Sequence, residues 1–292
     1  MNSLDLTSDI TIGENYSPFI VAEIGINHNG NLELAKKMIK MAKEIGVNAV
    51  KFQVKDVEEA HPKELLDMPY EGQNSFGKTY REHKLALEFS QSELRDIYSY
   101  SRELDIPCFS TPCNVSVVCR LEELNNPFYK IASFFVTWDE LLEEICKTKK
   151  PIIMSTGSST IDEIDHAVDI IRKNEIPFCL MHAVSSYPTN DEDINFKVIK
   201  SLQERYDCPV GYSGHEKGVG LTVSSIAFGA CIIERHFTLD RTMKGPDHAS
   251  SVEPTGLKLI VERARRLHKA MGSPKIDVYD CELANRKKFR GY

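Results

Sequence analysis

Two lysines close apolar runs in this sequence, so each carries its ammonium group into or beside a core. Lys51 follows Asn48-Ala49-Val50, and Lys130 follows Pro127-Phe128-Tyr129. A buried ammonium is costly unless something pairs with it. Hydroxyl residues end other apolar runs: Thr111, Ser133, Ser155, Ser185 and Ser213. Together these residues would make an anion site rich in donors, suited to a ligand carrying phosphate and carboxylate. The other outcome is that both lysines pair with Glu23 and Glu234, which also lie at the ends of apolar runs.

His215 and His236 end two further runs, with Glu23 and Glu234 as nearby oxygen donors. Two imidazoles on neighbouring elements can bind a divalent metal and leave positions open for water and substrate. Two nitrogen ligands suit Mn²⁺, Co²⁺, Fe²⁺ or Zn²⁺, whereas Mg²⁺ favours oxygen ligands. Taken singly, either histidine could equally be a structural hydrogen-bonder. His182, Asp240 and His248 are secondary candidates. Asp247 follows Gly245-Pro246, where it is either a turn residue or a reach toward a sugar hydroxyl.

Something must bring these residues to one place. Eight short apolar runs recur, at 19–25, 48–54, 107–112, 129–133, 151–156, 178–184, 209–213 and 231–237. Continuous apolar character suits parallel strands covered on both faces. Amphipathic or capped segments lie between several of them. Residues 32–45 carry an i, i+3/i+4 stripe, and 90–104 open on Ser90 with Glu93 three residues on. Helices are also predicted over 159–172, 219–229 and 254–271. Eight strands alternating with helices predict a single (β/α)₈ TIM barrel over 18–272, with an N-terminal extension at 1–17 and a C-terminal tail at 273–292. Such barrels present their chemistry at the C-terminal ends of the strands, where all the residues above fall. The longest interruption, 55–89, is polar and reads as a functional loop or a lid.

The 292 residues hold 36 Lys and Arg against 43 Asp and Glu, a net charge of −7. That balance speaks against sequence-independent nucleic-acid binding, which needs a dense basic surface. No apolar run approaches the roughly 20 residues of a membrane helix. The polar, acidic start lacks the basic and apolar regions of a secretion signal. None of the eight cysteines forms a C-x-x-C pair, so they read as reduced packing residues of a cytoplasmic protein.

Several motifs in order, from Ala22-Glu23-Ile24-Gly25-Ile26-Asn27-His28-Asn29-Gly30 and Lys51-Phe52-Gln53 through Asn74-Ser75-Phe76-Gly77-Lys78-Thr79-Tyr80-Arg81-Glu82-His83 and Tyr187-Pro188 to Gly211-Tyr212-Ser213-Gly214-His215, Glu234-Arg235-His236-Phe237-Thr238-Leu239-Asp240 and Lys244-Gly245-Pro246-Asp247-His248, make the chain resemble the sialic acid synthase family. The resemblance covers about residues 18–285 and implies a fold, a reaction and a site. The family condenses phosphoenolpyruvate with an open-chain N-acyl amino sugar, such as N-acetylmannosamine, to give a nonulosonic acid and phosphate for surface polysaccharide. By motif, Lys51, Thr111, Lys130, Ser133, Ser155, Ser185 and Ser213 would hold phosphoenolpyruvate. His215 and His236 would bind the metal, usually Mn²⁺, with Co²⁺ or Mg²⁺ as alternatives. Glu23 would position water or the aldehyde, and Glu234 would support the metal site. Gln53, Asn74, Tyr187 and Asp247 would face the sugar.

The resemblance has three departures. Phe135 stands where the family usually has an acidic residue that could bind sugar hydroxyls. Ser185-Ser186 replaces the usual residues before Tyr187-Pro188. The family usually continues into a small antifreeze-like domain that reaches over the partner's site in a homodimer, and this sequence stops where that domain would begin. These departures bear on the acceptor, and they keep two rivals in view: a synthase for a sugar without the acyl amino group, and a sugar-binding barrel without catalysis.

Overall fold

The computed structural model describes residues 3–292. Its strands are β1 (Ser3–Thr7), β2 (Ile10–Gly13), β3 (Phe19–Gly25), β4 (Ala49–Val54), β5 (Cys108–Pro112), β6 (Tyr129–Ile131), β7 (Ile152–Ser155), β8 (Phe178–Ala183), β9 (Val210–Gly214) and β10 (Ile232–His236). The last eight form one sheet in the order β5-β4-β3-β10-β9-β8-β7-β6. All its ladders are parallel. β5 and β6 lie side by side and bring the sheet round on itself. The fold is a (β/α)₈ barrel, as expected.

The strands fall where the apolar runs do because each is buried on both faces. Residues facing outward, such as Ile20, Ala22, Ile24, Val50 and Phe52, join the apolar stripes of the surrounding helices. The helix Leu32–Ile45 buries Ala35, Met38, Ile39 and Ala42 on one side, and Gly46 ends it in the left-handed conformation that glycine adopts without strain. The helix Gln91–Glu103 starts at Ser90, whose side chain caps it in a reciprocal bond with Glu93. Thr160 and Glu163 do the same for Ile161–Lys173. The segment expected as one helix over 219–229 divides into an α-turn, Gly220–Ser224, and a 3₁₀ turn, Ser225–Phe228. Pro254–Met271 runs as expected, with Pro254 in its first turn.

The inward face of the barrel is layered. Val21, Ala49, Phe109, Phe128, Ile153, Met181 and Ile232 pack into an apolar plug toward the N-terminal ends of the strands. Residues 3–13, within the segment read from sequence as a polar extension, complete that plug. β1 and β2 form an antiparallel hairpin that presses Leu4, Leu6 and Ile12 onto it. At the C-terminus, the helix Asp280–Arg290 buries none of its residues. Among the described residues no helix is long and apolar enough to cross a membrane.

Candidate active site

A strand turns the same face inward every second residue. Two residues beyond Val21, Ala49, Phe109, Phe128, Ile153 and Ile232 stand Glu23, Lys51, Thr111, Lys130, Ser155 and Glu234. The barrel interior therefore switches from apolar to polar within one pleat, and the polar layer lines a cleft at the C-terminal mouth.

Charge in that layer is balanced. The Lys51 ammonium lies 2.7 Å from Glu23 and 3.6 Å from Glu234. Lys130 lies 3.8 Å from the same Glu234 oxygen. Both lysines also donate to hydroxyls, Lys51 to Thr111 at 3.2 Å and Lys130 to Ser155 at 2.6 Å. Ser213 donates to Glu234 at 3.2 Å, and the Gln53 amide donates to Glu23 at 3.0 Å. Both lysines thus pair with the buried carboxylates, the ion-pair outcome, while keeping hydroxyl partners beside them.

The two lysines are not equivalent. Burial works against the charge on Lys51, but Glu23 and Glu234 together outweigh it and raise its pKa. Burial dominates at Lys130; with Lys51 adding repulsion, its pKa falls to about 8 against the pull of Glu234. Glu234 is buried too, yet the two lysines hold its pKa below the usual value. A β-bulge in β3 between Glu23 and Gly25 shifts the register against β4. Gly25 adopts a left-handed φ of +56° there, and a Cβ on it would stand 3.2 Å from the Glu23 carboxylate.

β9 and β10 deliver the histidines. His215 and His236 have ring centroids 5.8 Å apart. His215 donates from Nδ1 to the Val184 carbonyl at 2.8 Å, which fixes its tautomer and leaves Nε2 as a lone-pair donor. Burial, then the neighbouring His236, lowers the His215 pKa to about 3, so it is neutral under ordinary conditions. His236 Nδ1 is buried without a hydrogen-bond partner; its nearest carboxylate is Asp247 at 4.0 Å. Tyr187 packs its ring 4.2 Å from His215. Among the described residues no group of three or more His, Cys, Asp or Glu is arranged around a metal position.

Twelve of the predicted site residues share this cleft: Glu23, Lys51, Gln53, Thr111, Lys130, Ser133, Ser155, Tyr187, Ser213, His215, Glu234 and His236. Ser185 lies just beside it, next to Gly157. Asn74 and Asp247 stand at the rim, where the Asn74 side chain accepts the Gly245 N–H at 3.3 Å and so ties the segment 55–89 to the loop after β10.

Residues 38–276 match the NeuB family. The chain is 39% identical to human N-acetylneuraminate-9-phosphate synthase over 98% of its own length and 80% of the relative's. It is 36% identical to N,N'-diacetyllegionaminic acid synthase of Campylobacter jejuni, over 87% of its length and 77% of the relative's. A sialic acid synthetase from Leptospira borgpetersenii, solved with citrate, superposes with a TM-score of 0.85 at 34% identity, covering 99% of this chain and 98% of that one. The chain belongs to the sialic acid synthase family.

Against that family, the departure expected at Phe135 takes another form. The residues after β6 make a 3₁₀ turn, Ser133–Phe135. Phe135 turns away to meet the Trp138 ring edge-on at 5.9 Å. Its neighbour Phe134, 67% exposed, borders the cleft.

Sequence reasoning passed over Gly157 as a site residue. Its N–H donates to the Ser133 hydroxyl at 3.0 Å, and a Cβ there would lie 2.5 Å from the Ser185 hydroxyl and 2.9 Å from that of Ser133. Glycine keeps that donor pocket open. The secondary candidates are structural. His182 bonds the Ile194 carbonyl, His248 joins Thr238 to Asn29, and Asp240 accepts from Thr242.

Proposed function

We propose that this chain condenses phosphoenolpyruvate with the aldehyde of an open-chain N-acyl amino sugar, such as N-acetylmannosamine, giving a nonulosonic acid and phosphate. The observation that carries this reading is the switch of the barrel interior, within one pleat, to two carboxylates and two lysines collared by hydroxyls beside a histidine pair. Family membership supports the same chemistry.

The residues have distinct tasks. Lys130 is the cation with the weaker compensation, 3.8 Å from its carboxylate, so an arriving phosphate gains most there. Ser155, Ser133, Ser185 and the Gly157 pocket surround the phosphate with donors. Lys51, held between Glu23 and Glu234, stays charged and meets the carboxylate of phosphoenolpyruvate together with Thr111. These contacts hold C3 of the enol against the aldehyde carbon, which contributes to rate by removing the entropy of encounter. The C2=C3 π electrons form the C3–C1 bond and leave positive charge at C2, to which water positioned by Glu23 adds. The proton that water loses goes to the former aldehyde oxygen, and the C2–O bond to phosphate then breaks as the new C2 hydroxyl gives its proton to the leaving phosphate and becomes a ketone. Lys130 and the hydroxyls receive the charge on the departing phosphate.

His215 and His236 fit a divalent metal, Mn²⁺ before Co²⁺ or Mg²⁺: His215 presents a free Nε2, and His236 has a buried nitrogen without a partner. When bound, the metal supplies Lewis-acid polarisation of the acceptor's carbonyl oxygen. Glu234 stands behind the pair as a buried carboxylate. Gln53, Tyr187, Asn74 and Asp247 would meet the sugar's hydroxyl and acyl groups.

Incubation with phosphoenolpyruvate, Mn²⁺ and a panel of aldoses, with and without N-acyl groups, tests the reading. Phosphate release that depends on an N-acyl amino sugar is the expected result. Release only with plain aldoses moves the acceptor, and no release with any sugar overturns the proposal.

A further inference from the structure

The motif Asn27-His28-Asn29-Gly30 follows β3, and no step described so far uses it. Asn27 is 1% exposed. Its side-chain amide donates twice, to the Phe237 carbonyl at 2.9 Å and to the Ser251 hydroxyl at 2.8 Å. Phe237 is the first residue past β10, and Ser251 stands at the far end of the loop that follows, just before Val252 rejoins Phe237. The Ser251 hydroxyl in turn donates to the Asp247 carbonyl at 2.7 Å. One line of hydrogen bonds therefore runs from the end of β3 to the backbone of Asp247, whose carboxylate lies 4.0 Å from the His236 ring nitrogen.

The rest of the loop is braced from the same side. The Phe237 N–H donates to the Glu23 carbonyl at 2.8 Å, and the Val252 N–H donates to the His236 carbonyl at 2.8 Å, so both ends of the loop are pinned at the barrel mouth. The Asn29 amide donates to the Lys244 carbonyl at 2.8 Å, and a Cβ on Gly245 would stand 2.9 Å from the Asn29 side-chain oxygen. Asn29 has a second reason for its residue type, a left-handed φ of +52° that asparagine tolerates. Asn27 does not share that backbone conformation, and the helix Leu32–Ile45 is capped by Asn31 instead. The Asn27 side-chain oxygen is buried without a hydrogen-bond partner among the described residues, which costs stability. What the side chain supplies is two donors aimed at one loop.

We propose that Asn27 is a positioning residue for the acceptor: through Ser251 it holds Asp247 in place relative to Glu23. The inference rests on the synthase reading above, in which Glu23 lies at the aldehyde end of the sugar and Asp247 meets a group further along it. Glu23 and Asn27 leave the barrel on the same strand end, so both contacts are referenced to β3. A buried hydrogen-bond chain strengthens its own members and rigidifies what it joins. A shift of about 1 Å in a group that holds substrate can cost about 100-fold in rate. Asn27 itself stays behind the loop and acts only through it.

The test is a double-mutant cycle between S251A and D247A, read as phosphate release with the aldose of the panel above that turns over fastest. S251A removes the middle of the chain by deleting one oxygen. It should raise the acceptor KM about five- to tenfold, the effect of one or two hydrogen bonds, and leave the KM for phosphoenolpyruvate unchanged. N27A should do the same. In the D247A background, S251A should add less than about twofold. Full additivity overturns the proposal. So does a phosphoenolpyruvate KM that rises with the acceptor KM, the mark of a barrel that has merely loosened. If D247A has no turnover, hydrogen exchange decides. S251A should speed exchange of the amides at 239–251 at least about tenfold while β3 and β10 stay protected. Unchanged exchange, or protection lost throughout the barrel, overturns the proposal. If no aldose releases phosphate with the wild-type protein, the synthase reading fails, and the same exchange comparison decides whether Asn27 and Ser251 hold Asp247.

Discussion

Arg235 and Glu216 form a fully buried ion pair at 3.0 Å, and each is the chain neighbour of one of the paired histidines, Arg235 before His236 and Glu216 after His215. Glu216 also accepts from the Tyr212 hydroxyl at 2.8 Å, and Arg235 donates to the Glu216 carbonyl at 2.7 Å. The pair clamps the ends of β9 and β10, and so sets the spacing of the two imidazoles. Removing one partner of a buried pair leaves an uncompensated charge and costs about 3–5 kcal/mol. Glu216→Gln should therefore lower the melting temperature by about 5–10 °C and weaken Mn²⁺ binding. Unchanged melting and metal affinity would mean the clamp is idle.

His215→Ala and His236→Ala should each weaken Mn²⁺ binding at least tenfold, read by electron paramagnetic resonance, because each removes one of the two nitrogens proposed to hold the metal. Phosphoenolpyruvate affinity should persist, since Lys51 and Lys130 remain. Wild-type Mn²⁺ affinity in both variants would remove the metal from this position.

Lys130 sets a pH limb. Its pKa is lowered to about 8 by burial, so it is mostly charged at neutral pH and loses that charge as pH rises through 8. The KM for phosphoenolpyruvate should then climb by up to about tenfold per pH unit. Bound phosphoenolpyruvate stabilises the ammonium, so the limb in kcat should lie at higher pH than the limb in kcat/KM. Lys130→Gln should raise KM and flatten the limb. The same limb in that variant would assign it to another group.

Gly157→Ala places a methyl carbon 2.5 Å from the Ser185 hydroxyl. The donor pocket must widen or lose an oxygen, and KM for phosphoenolpyruvate should rise about tenfold, the worth of roughly one charge-assisted hydrogen bond. A wild-type KM would place the phosphate elsewhere.

The strands could be read from sequence because parallel strands covered on both faces leave continuous apolar runs, and the polar residue ending each run marks the mouth of the barrel. The hairpin at Ser3–Gly13 was harder. Leu4, Leu6, Ile10 and Ile12 do alternate with polar residues, but in two very short strands within an acidic stretch, where overall polarity outweighs the period of two. Phe135, expected to replace an acidic residue toward the sugar, turns aside because the chain leaves β6 in a 3₁₀ turn, where each residue turns about 120° and strand alternation no longer applies. Gly157 contributes through the absence of a side chain, and nothing in its own residue type says which hydroxyls surround it.

The central claim is that this barrel forms a carbon–carbon bond from C3 of phosphoenolpyruvate. Nuclear magnetic resonance of a reaction with phosphoenolpyruvate carrying carbon-13 at C3, run with the acceptor that releases phosphate, tests it most directly. The account predicts that the label moves into the methylene of a new sugar acid, coupled to the former aldehyde carbon, in step with phosphate. Phosphate released with labelled pyruvate, and no labelled sugar acid, would contradict it.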